Sequence, residues 1–314
     1  MTNITLPQNI DIAVLVPCYN EEAAIAAVIS DFRKSLPAAK IYVYDNNSSD
    51  RTLEVARDAG AIVRSEPLQG KGNVVRRMFA DIEADVFVMV DGDNTYDASA
   101  APELIKKLLD DNLDLVNGKR VHEDTEAYRP GHQFGNTLLT SLVAMIFGKR
   151  FDDMLSGFKV FSRRFVKSFP SLSGGFEIET ELTVHALELR MPVAEIETRY
   201  GARPEGSESK LSTFGDGYKI LKLIATLIKE ERPLQFFSFL FFLFVFSSIA
   251  LGIPLINTFI ETGLVPRYPT AILITGMMVL GFLCLACGLI LDTVTRGRQE
   301  LKRLQYLSLS RPRS

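Results

Sequence analysis

Apolar and polar positions fall into two rhythms over the first two thirds of the chain. Asp11 to Val16, Ile41 to Tyr44, Ala61 to Arg64 and Val86 to Val90 are short runs rich in β-branched residues. Each is too short for a buried helix and reads as a strand, the last buried on both faces. Between them lie helical patterns. Asn20 is placed to cap a helix that begins with Ala23 to Ile29, Arg51 to Ala59 is closed by Gly60, and Gly70-Lys71-Gly72-Asn73 opens a helix to about Ala84. A helix after Pro102 and a strand from Leu113 to Val116 extend the series. Strands separated by helices of about a dozen residues predict parallel pairing through right-handed crossovers.

The pattern changes near residue 230. No charge interrupts Phe236 to Ile256 or Ala271 to Leu291, each close to the ~20 residues that a helix needs to cross a bilayer core. Seven phenylalanines in the first span would be a costly surface for a soluble hairpin to hide. Lys222, Lys229 and Arg232 precede the first span; Arg296, Arg298, Lys302, Arg303, Arg311 and Arg313 follow the second; Glu261 and Arg267 are the charges between them. The positive-inside rule then puts both flanks and the N-terminal domain in the cytoplasm, at an inner or equivalent cell membrane. The predicted organisation is an α/β domain (1–215), an interfacial amphipathic helix (216–233), a two-helix transmembrane hairpin (234–292) and a basic cytoplasmic tail (293–314). Two short spans also leave a lipid-facing surface on which a homo-oligomer can form.

A formal charge of −3 gives no reason to expect a nucleic-acid partner. Met1 to Asn9 is polar and lacks the apolar core of a signal peptide. The three cysteines, Cys18, Cys284 and Cys287, make no disulfide framework, and Cys284 with Cys287 reads as small packing residues in an apolar span.

A doubly wound sheet binds ligands beyond the carboxyl ends of its strands. The turns there are Tyr19 to Glu22, Asp45 to Asp50 and Asp91 to Asn94, with Gly70 to Gly72 leading into a helix. Asp91 and Asp93, separated by Gly92, can hold a divalent cation and so fasten a diphosphate, while Lys71 sits between glycines to meet phosphate. Gly70-Lys71-Gly72 lacks the further features of a dinucleotide fingerprint, and no Walker loop is present. Downstream come Lys119-Arg120, His122, Arg129 and His132, then an amphipathic segment, Thr137 to Phe147, that fits either the core or the bilayer surface. Asp152 to Phe161 is an acid-bearing turn leading into a strand. Glu177, Glu179 and Glu181 open a helix on which they cannot share one face, so at least one should point to solvent or to the site. Tyr200 to Leu211 is a polar loop that can close over phosphate, and Tyr218 to Ile228 segregates apolar and basic residues as on a membrane surface.

In order, Val16-Pro17-Cys18-Tyr19-Asn20-Glu21, Asp45-Asn46-Asn47-Ser48, Gly70-Lys71-Gly72, Asp91-Gly92-Asp93, Asp153-x-x-Ser156-Gly157-Phe158 and Arg203-x-x-Gly206-x-x-Ser209-Lys210-Leu211 resemble the family-two glycosyltransferases of GT-A fold. More narrowly they resemble the polyprenyl-phosphate glycosyltransferases, which include dolichyl-phosphate mannose and glucose synthases and undecaprenyl-phosphate glucosyltransferases. The resemblance implies inverting transfer of a hexose from a nucleotide sugar, UDP-glucose or similar, to undecaprenyl or dolichyl phosphate. Pro17, Tyr19, Glu21, Asp45, Lys71, Asp91, Gly92 and Asp93 would bind the donor, with Mg2+ or Mn2+ on Asp91 and Asp93. Asp153 matches the position of a catalytic base, with Asp93 the other acid of the reaction. Arg120, Arg129, Ser156, Arg203, Ser209 and Lys210 would serve the acceptor phosphate and the leaving diphosphate. Asn94-Thr95-Tyr96-Asp97 departs from the Gln-His-Pro-Pro run of many mannose synthases, which weighs against GDP-mannose as donor. Gln133 stands where many relatives carry arginine. The absence of tryptophan argues against a processive polysaccharide synthase, and the presence of all three acids argues against a non-catalytic nucleotide-sugar binder.

Overall fold

The four apolar runs form strands β1 (Ile12–Cys18), β2 (Lys40–Asp45), β3 (Ile62–Ser65) and β4 (Val86–Met89). Helices α1 (Ile25–Ser35), α2 (Thr52–Asp58) and α3 (Lys71–Asp81) connect them, and α4 (Ala101–Asp110) follows β4. The computed structural model describes all residues except 1–5, 8, 123–139, 142, 146, 149, 171–173, 176, 205–221, 223–225, 227 and 311–314. Pairing of β1 with β2 and β4, and of β2 with β3, is parallel as the crossovers require. Every residue of β1 and β4 is buried, which explains their unbroken apolar runs. Gly60 ends α2 with a φ of +84°, the left-handed conformation that glycine adopts without strain.

Two features depart from the expected layout. Strand β5 (Leu115–His122) does not lie beside β4. Strand β6 (Lys159–Ser162) comes between them, antiparallel to both, and β7 (Val193–Tyr200) adds a parallel edge, giving the order β3-β2-β1-β4-β6-β5-β7. The second concerns Asn20, which caps no helix. Its φ is +52°, and α1 begins only at Ile25, after a turn in which Ala24 and Ile25 donate to the Glu21 carbonyl. Helices α5 (Arg163–Ser168) and α6 (Ile178–Glu188) complete this part of the fold.

The chain divides into two compact units, one of 1–220 with 302–314 and one of 221–301. In the first, Asp114, just before β5, is fully buried and accepts four hydrogen bonds. Two come from the Arg164 guanidinium at 2.5 and 2.6 Å, one from Ser162 at 2.7 Å and one from the Tyr306 hydroxyl at 2.7 Å. Arg164 lies over the Tyr306 ring, 4.7 Å from its centroid. Residues from the C-terminal end of the chain thus complete the core of the first unit.

The second unit contains α7 (Pro233–Thr262) and most of α8 (Tyr268–Ser308). At ~1.5 Å per residue, the 30 and 41 residues of these helices are long enough, and apolar enough, to cross a membrane. Gly281 and Gly288 let them approach closely. A Cβ on Gly288 would lie 2.9 Å from Cβ of Phe237, and one on Gly281 would lie 3.3 Å from Cβ of Phe244. Cys284 and Cys287 are free thiols on α8.

Candidate active site

Three loops at the carboxyl ends of β1, β2 and β4 are shaped by asparagines with left-handed backbones: Asn20, Asn47 and Asn94, with φ of +52°, +64° and +56°. Asparagine tolerates this region better than most side chains because its amide can bond locally. The first two loops are laced together. Asn20 N donates to Ser48 Oγ at 2.8 Å, Ser49 N to Asn20 Oδ1 at 2.8 Å, and Glu21 N to Thr52 Oγ1 at 2.8 Å. Asn46 ties in the loop before α3, accepting from Gly70 N at 2.6 Å and donating to the carbonyls of Glu66 and Leu68. Within this frame Asp45 is 2 % exposed; its Oδ2 accepts from Ser48 N at 3.1 Å, and Oδ1 has no hydrogen-bond partner among the described residues. A buried oxygen of this kind is under-satisfied until a donor reaches it. Pro17 and Glu21 are buried, and Tyr19 is exposed at the rim.

The loop after β4 carries the paired acids. Lys71, at the start of α3, reaches Asp91 Oδ1 at 2.5 Å and also bonds Glu179 of α6. Burial opposes the charged ammonium of Lys71, yet the two carboxylates outweigh it and hold it protonated far above the ordinary lysine range. Asp93 is 4 % exposed and accepts from the Thr95 hydroxyl at 2.6 Å and from Arg203 at 2.8 Å. Burial, then the like charge of Asp91, pushes its carboxyl up, and Arg203 only partly offsets them. Gly92 lies against Cys18, where a Cβ would sit 2.6 Å from Sγ, so the loop has no room for a larger residue.

The other half of the site stands on β5, β6 and β7. The Arg120 guanidinium grips Asp153 as a fork, Nε to Oδ2 and Nη2 to Oδ1, both at 2.7 Å, and lies 5.6 Å from the centroid of the Tyr200 ring. Burial alone would raise the Asp153 carboxyl, but Arg120 dominates and holds it below the usual range. The Tyr96 hydroxyl accepts from Gly157 N at 2.7 Å, and its ring meets Tyr200 edge to face at 5.0 Å. Gly157 joins the halves, since a Cβ there would come within 2.2 Å of Asp91 Oδ2. The Ser-Gly-Phe turn therefore lies directly on Asp91.

Asp91, Gly92, Asp93, Lys71, Asp153, Arg120 and Arg203 thus belong to one connected cluster. Ser156 faces inward instead. It is fully buried, donates to the Gly118 carbonyl at 2.5 Å and accepts from Phe158 N, so its hydroxyl braces the turn. Arg129, Ser209 and Lys210 lie outside the described residues, as do His132, Gln133 and residues 216–221, 223–225 and 227 of the interfacial helix. Sequence reasoning missed Glu179 as the second partner of Lys71, although three acids alternating at one helix start left one for the site. It also missed Tyr96, Tyr200, Asn117, Lys159 and Glu195, whose roles depend on strand register.

Residues 13–169 match the family model described as glycosyl transferase family 2. The glycosyltransferase AglJ of Haloferax volcanii is 31 % identical over 94 % of this chain and 98 % of its own length. The dolichyl-phosphate hexose transferase of the same organism is 29 % identical, over 71 % of this chain and 96 % of its own. Among solved structures, glucosyl-3-phosphoglycerate synthase from Mycobacterium tuberculosis in complex with Mn2+, UDP and glucosyl-3-phosphoglycerate superposes with a TM-score of 0.57. It has 26 % identity and covers 70 % of this chain and 80 % of that one. A mostly parallel seven-stranded sheet of GT-A type, with acids at its carboxyl edge, accords with these matches, and the chain belongs to glycosyl transferase family 2.

Proposed function

We propose that this glycosyltransferase moves a hexose from a nucleotide sugar, UDP-glucose or a close relative, to the phosphate of a polyprenyl lipid at the cytoplasmic face of a membrane. One observation carries the reading: an Arg120–Asp153 fork and the Asp91–Asp93 pair are joined through the turn at Gly157, so a donor site and an anion clamp share one edge of the sheet. The relatives support the substrate classes, since one is named for dolichyl phosphate and hexose and a structural neighbour holds UDP. The two long apolar helices support a membrane substrate.

Asp45, with an unsatisfied buried oxygen, would take a base N–H or a ribose hydroxyl of the donor, beside Pro17, Tyr19 and Glu21. Asp91 and Asp93 fit a divalent ion, Mg2+ or Mn2+. They are oxygen donors one residue apart, and burial with like charge destabilises the Asp93 carboxylate in a way that a cation relieves. When bound, the ion neutralises charge on the departing diphosphate. Lys71 and Arg203 add positive charge to the same region.

A phosphate monoester, with a second pKa of about 6, is already largely dianionic near neutrality and needs little help from a base. Asp153 is held ionised by Arg120, so its part is to aim the guanidinium at the acceptor phosphate. A phosphate oxygen would then attack the anomeric carbon from the face opposite the diphosphate, inverting the configuration.

The test is Asp93→Ala, assayed with a nucleotide sugar and a short polyprenyl phosphate, with folding followed by circular dichroism. Loss of transfer in a folded protein is the expected result; retained transfer with an unchanged metal requirement contradicts the assignment. Asp153→Asn supplies a second readout. If it behaves as an aiming group, the shape of the rate profile between about pH 6 and 8 stays that of the parent even as the rate falls.

A further inference from the structure

Beneath the turn that carries Asp153, three polar side chains from adjacent strands lie in one lateral row. Asn117 of β5 is in register with Lys159 of β6 on one side and with Glu195 of β7 on the other. Residues in register project to the same face of a sheet and can bond across strands. Here they do. Lys159 Nζ donates to Asn117 Oδ1 at 2.6 Å, and Asn117 Nδ2 donates to Glu195 Oε1 at 2.8 Å.

The row also grips the main chain above it. Lys159 Nζ donates to the Met154 carbonyl at 3.1 Å and Asn117 Nδ2 to the Asp153 carbonyl at 2.7 Å. Glu195 accepts from Asp153 N at 3.1 Å through Oε1 and from Asp152 N at 2.8 Å through Oε2. Four backbone polar groups on three consecutive residues of the turn are thereby fixed by side chains that belong to the sheet. Lys159 and Asn117 are both fully buried. Burying an ammonium group whose hydrogen-bond acceptors are uncharged carries a desolvation cost of several kcal/mol, which its bonds to Asn117 and Met154 offset only in part. Burial draws the Lys159 amine down to about 8, against the opposing pull of Asp153, Glu179 and Glu195. What a lysine supplies at this place is a donor that ties Asn117 of β5 to the turn at Met154.

We infer that Asn117, Lys159 and Glu195 are positioning residues for transfer: they set the Asp153 backbone, and through it the Arg120 fork, at the acceptor phosphate. The inference rests on the proposed acceptor role of Arg120. Lys159→Met keeps the side-chain length and removes both hydrogen bonds. The expected result is an acceptor KM raised at least about tenfold, the size of a loss near 1.4 kcal/mol, with nucleotide-sugar affinity by calorimetry unchanged. Amide exchange should accelerate at 152–154 and not at 91–93. Glu195→Gln keeps one carbonyl acceptor and is expected to give a smaller loss of the same kind, which keeps the inference open to test should Lys159→Met fail to fold. Unchanged acceptor KM in folded variants, or donor affinity falling in parallel, overturns it. If the parent protein fails to use polyprenyl phosphate at all, the functional proposal fails, while the exchange measurement still decides whether the row holds the turn.

Discussion

Two arginine–aspartate forks lie near opposite ends of β5, and their surroundings differ in an instructive way. Arg164 and Asp114, at the start of the strand, form a closed structure. Asp114 has 0 % side-chain exposure, Arg164 9 %, and Ser162 and Tyr306 fill the remaining acceptor positions of the carboxylate. Arg120 and Asp153, at the other end, have the same bidentate geometry, yet the Arg120 side chain keeps 23 % exposure and one of its faces lies on an aromatic ring. A saturated pair holds elements together; a partly open one presents charge to a ligand. Burial and hydrogen-bond saturation, rather than the ion pair itself, separate the closed fork from the one proposed to meet the acceptor.

The sharpest way to break this contrast is to remove one charge from each. Asp114→Asn leaves the Arg164 guanidinium buried without its counter-charge and is expected to lower stability by about 3–5 kcal/mol, read by denaturant unfolding, with transfer per folded molecule unchanged. Arg120→Ala is expected to do the converse, lowering kcat/KM for the acceptor by about 100- to 1000-fold while donor affinity holds. Comparable stability losses from both, with no difference in activity, would erase the distinction.

Smaller effects sharpen it on the structural side. His185 is 2 % exposed, between Phe165 and Phe169, and burial, reinforced by the charge of Lys302, draws its pKa to about 3. The unfolded chain therefore binds the extra proton first. Stability present above the ordinary histidine pKa of about 6.5 is lost as pH falls toward 3, at up to ~1.4 kcal/mol per pH unit from this residue. Thermal unfolding across that window should show a shallower slope in His185→Phe than in the parent. Tyr306→Phe removes one hydrogen bond to Asp114 and is expected to cost about 1–2 kcal/mol, seen as a lowered unfolding midpoint with transfer intact.

The proposed donor half of the site was legible in the sequence because its parts are local. Strand, turn and helix follow one another, so Asp45, Asp91 and Asp93 fall just at or past strand ends, and Lys71 at a helix start, that the apolar runs and the glycines already mark. The proposed acceptor half was legible only as isolated residues. Its geometry depends on β6 entering between β4 and β5 and on β7 at the edge, pairings between segments distant in the chain. Val193 to Tyr200 does alternate, but with Glu195, Glu197 and Arg199 in the run it resembles solvent-facing helix or loop as much as strand. Lys159 reads as the first charge after Ser156-Gly157-Phe158, and nothing local announces that it is wholly buried. The Asp114 fork was invisible for the same reason, with Arg164 50 and Tyr306 192 residues away.

Organic extraction after incubation with a radiolabelled nucleotide sugar, a short polyprenyl phosphate and Mn2+ addresses the central claim most directly. The account predicts label in the organic phase from the parent protein, dependent on the metal and absent with Asp93→Ala. Label that stays with the protein or in the aqueous phase, for every nucleotide sugar offered, would contradict it.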